Sequence, residues 1–316
     1  MGGMTAFAAP LRVGVSSCLL GRPVRYNGGH KRDDFVVDVL GPRVTFVPVC
    51  PEVELGLGTP RETLRLVRRG EDVRMIMATG EDHTNAMRGY SARRVAALVR
   101  EDLDGYILKK DSPSCGMAKV KVYDRHGSPS RGGRGLFAAA LIDAMPMLPI
   151  EEEGRLSDAN LRENFVARLF AFRRLKTLFA GRWTVGDLVR FHTAHKLTLL
   201  AHSTTAYSTL GRLVAAAKNT PRAELRDAYM AAFMKALTLI ATPKKHANVL
   251  QHMVGHFRGR LDDASRDELL ALIDEYRRER VPLIAPLTLI RHHVRRLGVD
   301  YLAGQTYLAR SSQLLD

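Results

Sequence analysis

Cysteine is scarce in this chain: Cys18, Cys50 and Cys115 are the only three in 316 residues. So small and odd a set excludes a disulfide framework. The intervals, 50 − 18 = 32 and 115 − 50 = 65 residues, match no CxxC zinc or ferredoxin pattern. Long apolar runs are missing as well; each stops well before the roughly 20 residues that a membrane span needs. The opening MGGMTAFAAP has neither a basic leading region nor an extended apolar stretch, so no secretory signal is expected and the protein is placed in the cytoplasm. No GxGxxG follows the first strand-like run, which removes the dinucleotide fingerprint.

Negative charge is the other shortage. Against 48 Lys and Arg stand 33 Asp and Glu, a formal balance of +15. Residues 1–150 contribute 22 − 16 = +6 and the remainder 26 − 17 = +9, with eight of the eleven histidines in the second part. An excess of this sign attracts polyanions and speeds their capture. It does not name the polyanion, and an arginine-rich surface alone gives the same sum. A hydrophobic share of 46% describes a folded chain, long enough for two domains.

The two halves differ in periodicity. Arg12–Ser16, Val44–Val49, Val73–Met77 and Gly105–Leu108 are short apolar strand candidates, and Ala92–Leu103 carries Val95, Leu98, Val99 and Leu103 at helical spacing. Strands alternating with helices predict an α/β, Rossmann-like N-terminal domain with a parallel sheet over residues 1–150. An all-α C-terminal domain is expected over 151–316, the two joined near Pro149–Gly154. In it Leu161, Phe165, Leu169, Phe172 and Leu175 mark one amphipathic helix. Thr184, Thr220-Pro221 and Thr242-Pro243 are expected helix starts, with a capping box at Ser265 and Glu268.

Each cysteine follows a predicted strand, and the carboxyl ends of parallel strands share one edge, where ligands bind. Cys18, Cys50 and Cys115 are therefore expected to meet in space. Three thiolates suit zinc with a fourth ligand such as His30 or His83, or an iron–sulfur cluster; buried cysteines that merely pack are the plainer alternative. Ser16, Ser17, Ser112 and Ser114 flank the cysteines and can bond a ligand or simply cap turns. Gly28 and Gly29 serve a tight turn more readily than a phosphate cradle.

SSCLLGRPVRYNGGHKR (16–32), PVCPEVELGLGTPRETLRL (48–66) and KKDSPSCG (109–116) together resemble the thiouracil desulfidase family. HKLTLLAHS, YSTLGRLVA, ATPKKHANVLQHMVGHF, VPLIAPLTLIRHHV and YLAGQTYL are similar to the YbgA-type helical domain. The fused arrangement resembles desulfidases that act on 4-thiouridine in tRNA. The resemblance implies a 4Fe-4S cluster on Cys18, Cys50 and Cys115, whose fourth iron binds the substrate sulfur without net redox change. It also implies proton handling by Glu52 and substrate placement by Ser112. Asp111 departs from the basic or neutral residue expected before SPSCG.

On that reading Glu52 deprotonates the attacking water, or else serves as a cap or salt bridge. Ser16, Ser17, Arg25, Tyr26 and Ser114 are candidate substrate contacts, Tyr26 by stacking. Arg22 and Arg61 are further candidates, while Arg25 and Arg61 equally suit pairing with carboxylates to hold the loops shut. In the second half Lys245, Asn248, His252 and His256 share one helix face, opposite the apolar stripe Ala247, Leu250, Val254 and Phe257. Together with Arg291, His292, Arg295 and Arg296 they form an expected RNA-binding surface, with Lys245, Asn248, His252, Arg291 and Arg295 as its core. His192, His195 and His202 are expected on a polar, domain- or RNA-facing surface and not at a metal. The expected partner is tRNA carrying 4-thiouridine, with no membrane. Desulfidation of free thiobases and a non-catalytic, cluster-containing RNA-binding module are the alternatives.

Overall fold

The computed structural model describes residues 9–309, so the absence of a signal read from the first eight residues lies outside it, as does the end of the predicted helical domain. Among the described residues no helix is long and apolar enough to cross a membrane. The chain forms two compact units, one ending at Arg173 and one starting at Arg174.

The first unit contains β1 (Leu11–Ser16), β2 (Val44–Val49), β3 (Leu64–Arg69), β4 (Asp72–Met77), β5 (Gly105–Leu108), β6 (Val120–Tyr123), β7 (Pro129–Gly133) and β8 (Ile150–Glu152). Its helices are α1 (Pro51–Glu54), α2 (Thr84–Val99), α3 (Leu136–Ala144) and α4 (Ala159–Phe179), the last running on past Arg173. One sheet has the order β2-β1-β5-β8, and every pairing in it is parallel. Its apolar strands are covered on both faces, as parallel strands must be: Val13, Val15, Tyr106, Ile107 and Leu108 have no exposed surface. Gly14 is required here, because a Cβ would lie 2.1 Å from the Tyr106 ring.

Three of the four predicted strands build this sheet. The fourth, Val73–Met77, forms within β4 but belongs elsewhere. It pairs antiparallel with β3 across a turn at Gly70, whose φ of 64° favours glycine, in a second sheet of order β4-β3-β6-β7. The unit also extends past the junction expected near residue 150. Burial explains this: β8 completes the parallel sheet beside β5, and Leu169 of α4 lies so close over Gly105 that a Cβ there would meet it at 2.1 Å. The Arg173 guanidinium reaches the buried Asp104 carboxylate at 2.6 Å.

The second unit is helical: α5 (Val185–Ala194), α6 (Lys196–His202), α7 (Thr204–Ala215), α8 (Arg222–Leu237), α9 (Pro243–Gly255), α10 (Asp263–Arg277), α11 (Ile284–Leu297) and α12 (Asp300–Ala303). Thr184 closes a capping box with Asp187, and Thr242 accepts from the Lys245 N–H ahead of Pro243. Two other caps fall differently. Pro221 takes the N-cap of α8 while the Thr220 hydroxyl turns back to the Ala216 carbonyl. Asp262 caps α10 by accepting from the Ser265 N–H, so the box at Ser265 and Glu268 does not form.

The histidines expected at a polar surface are interior. The helix breaks at His195, and His192, His195 and His202 are all buried. His192 stacks on Tyr207 and bonds to the Tyr229 hydroxyl at 3.1 Å; the Nδ1 of His202 meets the Leu239 carbonyl. Burial holds His195 down to about 3 from the ordinary histidine value of 6.5. Below about 6.5 the unfolded chain therefore takes up a proton that the folded one refuses. Stability should be flat above that pH and fall below it, by at most about 1.4 kcal/mol per pH unit for this group. Melting temperatures at pH 7 and 5 test this: His195→Gln should lose less between them than the wild-type chain, and equal losses would refute the assignment.

Candidate active site

All three cysteines face one cavity of about 450 Å³ at the carboxyl edge of the parallel sheet. That volume lies within the roughly 300–1,000 Å³ of small-ligand sites. Cys18 sits on a short 3-10 turn, Ser17–Leu20, directly after β1, and its carbonyl accepts from the Gly21 and Lys31 N–H groups. Cys50 follows β2 as the N-cap of α1, with its thiol 3.9 Å from the Val24 carbonyl. Cys115 closes the loop after β5. The N-terminus of α3 fixes that loop: Leu136 N–H donates to the Pro113 carbonyl at 3.1 Å and Ala138 N–H to that of Ser114 at 3.0 Å. The helix's unpaired N–H groups are thus satisfied by the cysteine loop itself. Gly135 permits the approach, since a Cβ would stand 2.4 Å from the Ser114 carbonyl oxygen.

The expected catalytic residues, Glu52 and Ser112, and the expected substrate contacts, Ser16, Ser17, Arg25, Tyr26 and Ser114, line the same cavity, with Arg61. Arg22 is not among the lining residues. Tyr26 is exposed, its ring 5.4 Å from the Arg25 guanidinium carbon. Gly28, at φ 75°, makes the tight turn expected of it, its N–H donating to the Arg25 carbonyl.

Hydrogen bonding orders three residues in a line. The Ser112 hydroxyl oxygen accepts from the N–H groups of Ser114 at 3.3 Å and Cys115 at 3.1 Å. Its own proton is then free for the Ser114 oxygen, 3.0 Å away, and the Ser114 hydroxyl donates to Glu52 Oε1 at 2.6 Å. The same Ser114 hydroxyl is 3.6 Å from the Cys115 sulfur. Glu52 Oε2 is held by the Arg61 guanidinium through Nε and Nη2. Arg61 also donates to the carbonyls of Val24 and Gly58, so it ties together the loops that carry Tyr26 and Glu52. It is the locking pair, and not a free substrate-facing cation, that the geometry selects for Arg61.

Burial is the first cause of every thiol shift. It pushes Cys18 up to about 11, against the pull of Lys109 and Arg25, and raises Cys50 and, furthest, Cys115. The hydroxyls of Ser16 and Ser114 act to lower Cys115, while the charges of Glu52 and Cys50 raise it. The charge of Cys50 acts to raise both Cys18 and Cys115, and a bound cation would reverse that influence on all three sulfurs. Among the described residues, no three His, Cys, Asp or Glu side chains are grouped to hold a single metal ion.

Sequence reasoning overlooked Lys109 and the carboxylates of β8. Lys109 binds Glu153 at 2.5 Å, its N–H donates to the Ser16 hydroxyl, and Glu153 also accepts from the Lys110 N–H. Glu152 accepts from the Met117 N–H just past Cys115. The Glu151–Glu153 run looked like a linker; its burial beside KKDSPSCG is visible only once β8 joins the sheet. Asp111, at φ 58°, occupies a left-handed turn that aspartate tolerates, and pairs with Arg131 at 3.7 Å.

In the helical unit Asn248, His252, Arg295 and Arg296 are exposed, and His256 stacks on Tyr301. The Lys245 ammonium donates to the His202 carbonyl and Arg291 to that of Leu308, so part of the cationic set is spent on the fold. Ala247, Leu250, Val254 and Phe257 are buried, as the apolar stripe requires.

A parallel α/β unit with three thiols lining one cavity at the carboxyl edge of its sheet defines a sulfur-donor ligand site on a Rossmann-like frame. The family model for 2-thiouracil desulfurase matches residues 13–153, and that for the protein of unknown function DUF1722 matches residues 196–311. The uncharacterized protein YbgA of Escherichia coli is 37% identical over 148 residues, 46% of this chain and 86% of that protein. The uncharacterized protein YbbK of Bacillus subtilis is 36% identical over 136 residues, 41% of this chain and 89% of that one. Among solved structures, the 4Fe-4S-dependent thiouracil desulfidase TudS matches with 33% identity and a TM-score of 0.39, over 46% of this chain and 93% of that chain. The chain belongs to the 2-thiouracil desulfurase family, with a DUF1722 region of the YbgA type following it.

Proposed function

We propose that the protein hydrolyses the carbon–sulfur bond of a thiolated uracil and that its substrate is 4-thiouridine in tRNA. The observation that carries the reading is a single cavity holding three thiols beside the Ser112–Ser114–Glu52 line. The donors fit a 4Fe-4S cluster. They are all thiols, they share a cavity without sharing a point, and the Ser16 hydroxyl is placed to donate to the Cys115 sulfur while that of Ser114 lies 3.6 Å from it. When bound, a cluster with three protein ligands supplies an iron open to the substrate's sulfur as a Lewis acid.

The chain's own residues account for the remaining chemistry. Water adds its oxygen to the ring carbon and sulfur departs as sulfide, so thiocarbonyl and water give carbonyl and hydrogen sulfide without a change of oxidation state. Glu52 Oε1 takes the water's proton, and the Ser114 hydroxyl bonded to it carries protons toward the sulfur side of the cavity. Arg61 orients the carboxylate by occupying its other oxygen. Tyr26, exposed at the cavity, offers a stacking surface for the base.

The +15 balance and the exposed Asn248, His252 and Arg295 support an RNA partner. A base buried in folded RNA must be turned out to enter, at a cost of a few kcal/mol that contacts elsewhere on the RNA offset. The cavity's size alone suits a free thiobase equally well. Anaerobically iron-loaded protein should convert 4-thiouridine to uridine in thiolated tRNA, read by nucleoside analysis, with a rate that falls steeply as salt rises. Conversion of free 4-thiouracil with tRNA left intact would overturn the tRNA assignment.

A further inference from the structure

The second sheet of the first unit has a face that the chemistry above does not use. Leu66, Met75 and Val122 point inward and are buried, so the alternate residues of β3, β4 and β6 point the other way. On that outer face the register sets Val67 beside Tyr123 and Lys121 opposite Arg131, and one step back along β3 and β6 sets Arg65 beside Lys121. The Arg65 guanidinium lies 5.7 Å from the Tyr123 ring centroid, which puts both on the same side. Arg69 follows Arg65 and Val67 along β3 on this face, opposite Asp72 of β4, whose carboxylate is already paired with Arg74 and Arg88.

Three cations therefore stand abreast on three strands, about 10 Å from side to side at the usual strand spacing. Like charges directly opposite one another destabilise a sheet. Among the described residues, only Arg131 of the three has a carboxylate within reach, Asp111 at 3.7 Å, and both are well exposed. Arg65, Arg69 and Lys121 are exposed. A row of this kind is relieved by an anion lying across it. Its position is informative: Asp111, paired with Arg131, lines the thiol cavity. The cationic row begins at the cavity's rim and continues outward along β3 to Arg69.

We propose that this sheet face is the docking surface for the sugar–phosphate backbone of the RNA whose thiolated base enters the cavity, with Arg65, Lys121, Arg131 and Arg69 on successive phosphates and Tyr123 offering a ring face to a flanking base. The inference rests on the reading of the cavity as a thiouracil desulfidase site and adds the polynucleotide chain to its substrate. A free base has no phosphate and needs none of these residues. Cations with one aromatic on an open sheet suit unpaired RNA strand, where phosphate contacts give affinity and stacking tolerates any base.

The test uses the full chain and the triple variant R65Q/R69Q/K121Q, none of whose positions lines the cavity. Binding of fluorescently labelled tRNA is followed by anisotropy across a salt series, and turnover of free 4-thiouracil is measured in parallel on iron-loaded protein. The variant should bind tRNA at least about tenfold more weakly at low salt, with a slope of log K against log salt shallower by about two. Its turnover of free 4-thiouracil should equal that of the wild type. Unchanged tRNA affinity and slope overturn the proposal, as does a parallel loss of free-base turnover, which would make the face a support of the cavity. A wild-type chain that turns over no thiobase at all fails the desulfidase reading instead, and the anisotropy arm still decides the surface.

Discussion

Cys115→Ala should abolish sulfur release, lowering turnover by more than about 100-fold, and should strip iron from the protein. About 100-fold is the upper end of the effect of losing an outer-shell partner of a metal ligand, and a ligand itself is worth more. Cys115 is the most buried of the three thiols and the most strongly shifted, so in the empty protein it is held as the neutral thiol. Loading must remove that proton, which makes iron binding pH-dependent and proton-releasing. The substitution removes one sulfur from a loop that α3 holds through the backbone of Pro113 and Ser114, so the fold should survive with a small loss in melting temperature. Iron analysis and turnover read the expected losses. Normal iron content with normal turnover in this variant would contradict the role given to the cysteines.

Glu52→Gln should lower kcat by about 10²–10⁴-fold, the range of a positioned general base, with a much smaller change in KM. Glutamine keeps a carbonyl oxygen for the Ser114 hydroxyl, so the line of hydrogen bonds is preserved while its basic end is lost. The variant has a second effect. Arg61 has only 4% of its side chain exposed and pairs with Glu52, itself 14% exposed. Removing the carboxylate leaves a buried guanidinium without its countercharge, a change that costs about 3–5 kcal/mol when a buried pair is broken at one end. The carbonyls of Val24 and Gly58 still accept from Arg61, so the loss should fall at the low end of that range. Glu52→Gln with Arg61→Gln should recover part of the stability and none of the activity. Recovery of turnover in the double variant would make Glu52 a structural residue.

Those two residues show what the sequence could and could not disclose. The strands Val44–Val49 and Gly105–Leu108 were legible to the residue because they are apolar runs bounded by turns, and a cysteine beyond each of three parallel strands had to meet the others. The second sheet was hidden for opposite reasons in different strands. LRLVRR in β3 has three arginines on a six-residue run, and β7, PSRGG, has the composition of a loop and stays exposed along most of its length. Nothing in their periodicity separates them from turns; only pairing with β6 does. The carboxylates of and just after β8 have the composition of a linker because buried acids are rare, yet the backbone N–H groups of Lys110 and Met117 and the Lys109 ammonium satisfy Glu153 and Glu152. In the helical unit the spacing of His192, His195 and His202 was visible but not the break at His195, which turns all three into the interior.

The cavity bounded by Cys18, Cys50 and Cys115 is proposed to cleave a carbon–sulfur bond by hydrolysis. The most direct measurement of this hydrolysis is the product balance when the anaerobically iron-loaded protein meets 4-thiouracil in water enriched in heavy oxygen. Uracil carrying one heavy oxygen and an equal amount of sulfide, with no added reductant consumed, is the predicted result. Unchanged 4-thiouracil after incubation with protein that holds its full iron, or uracil without the heavy label, would contradict it.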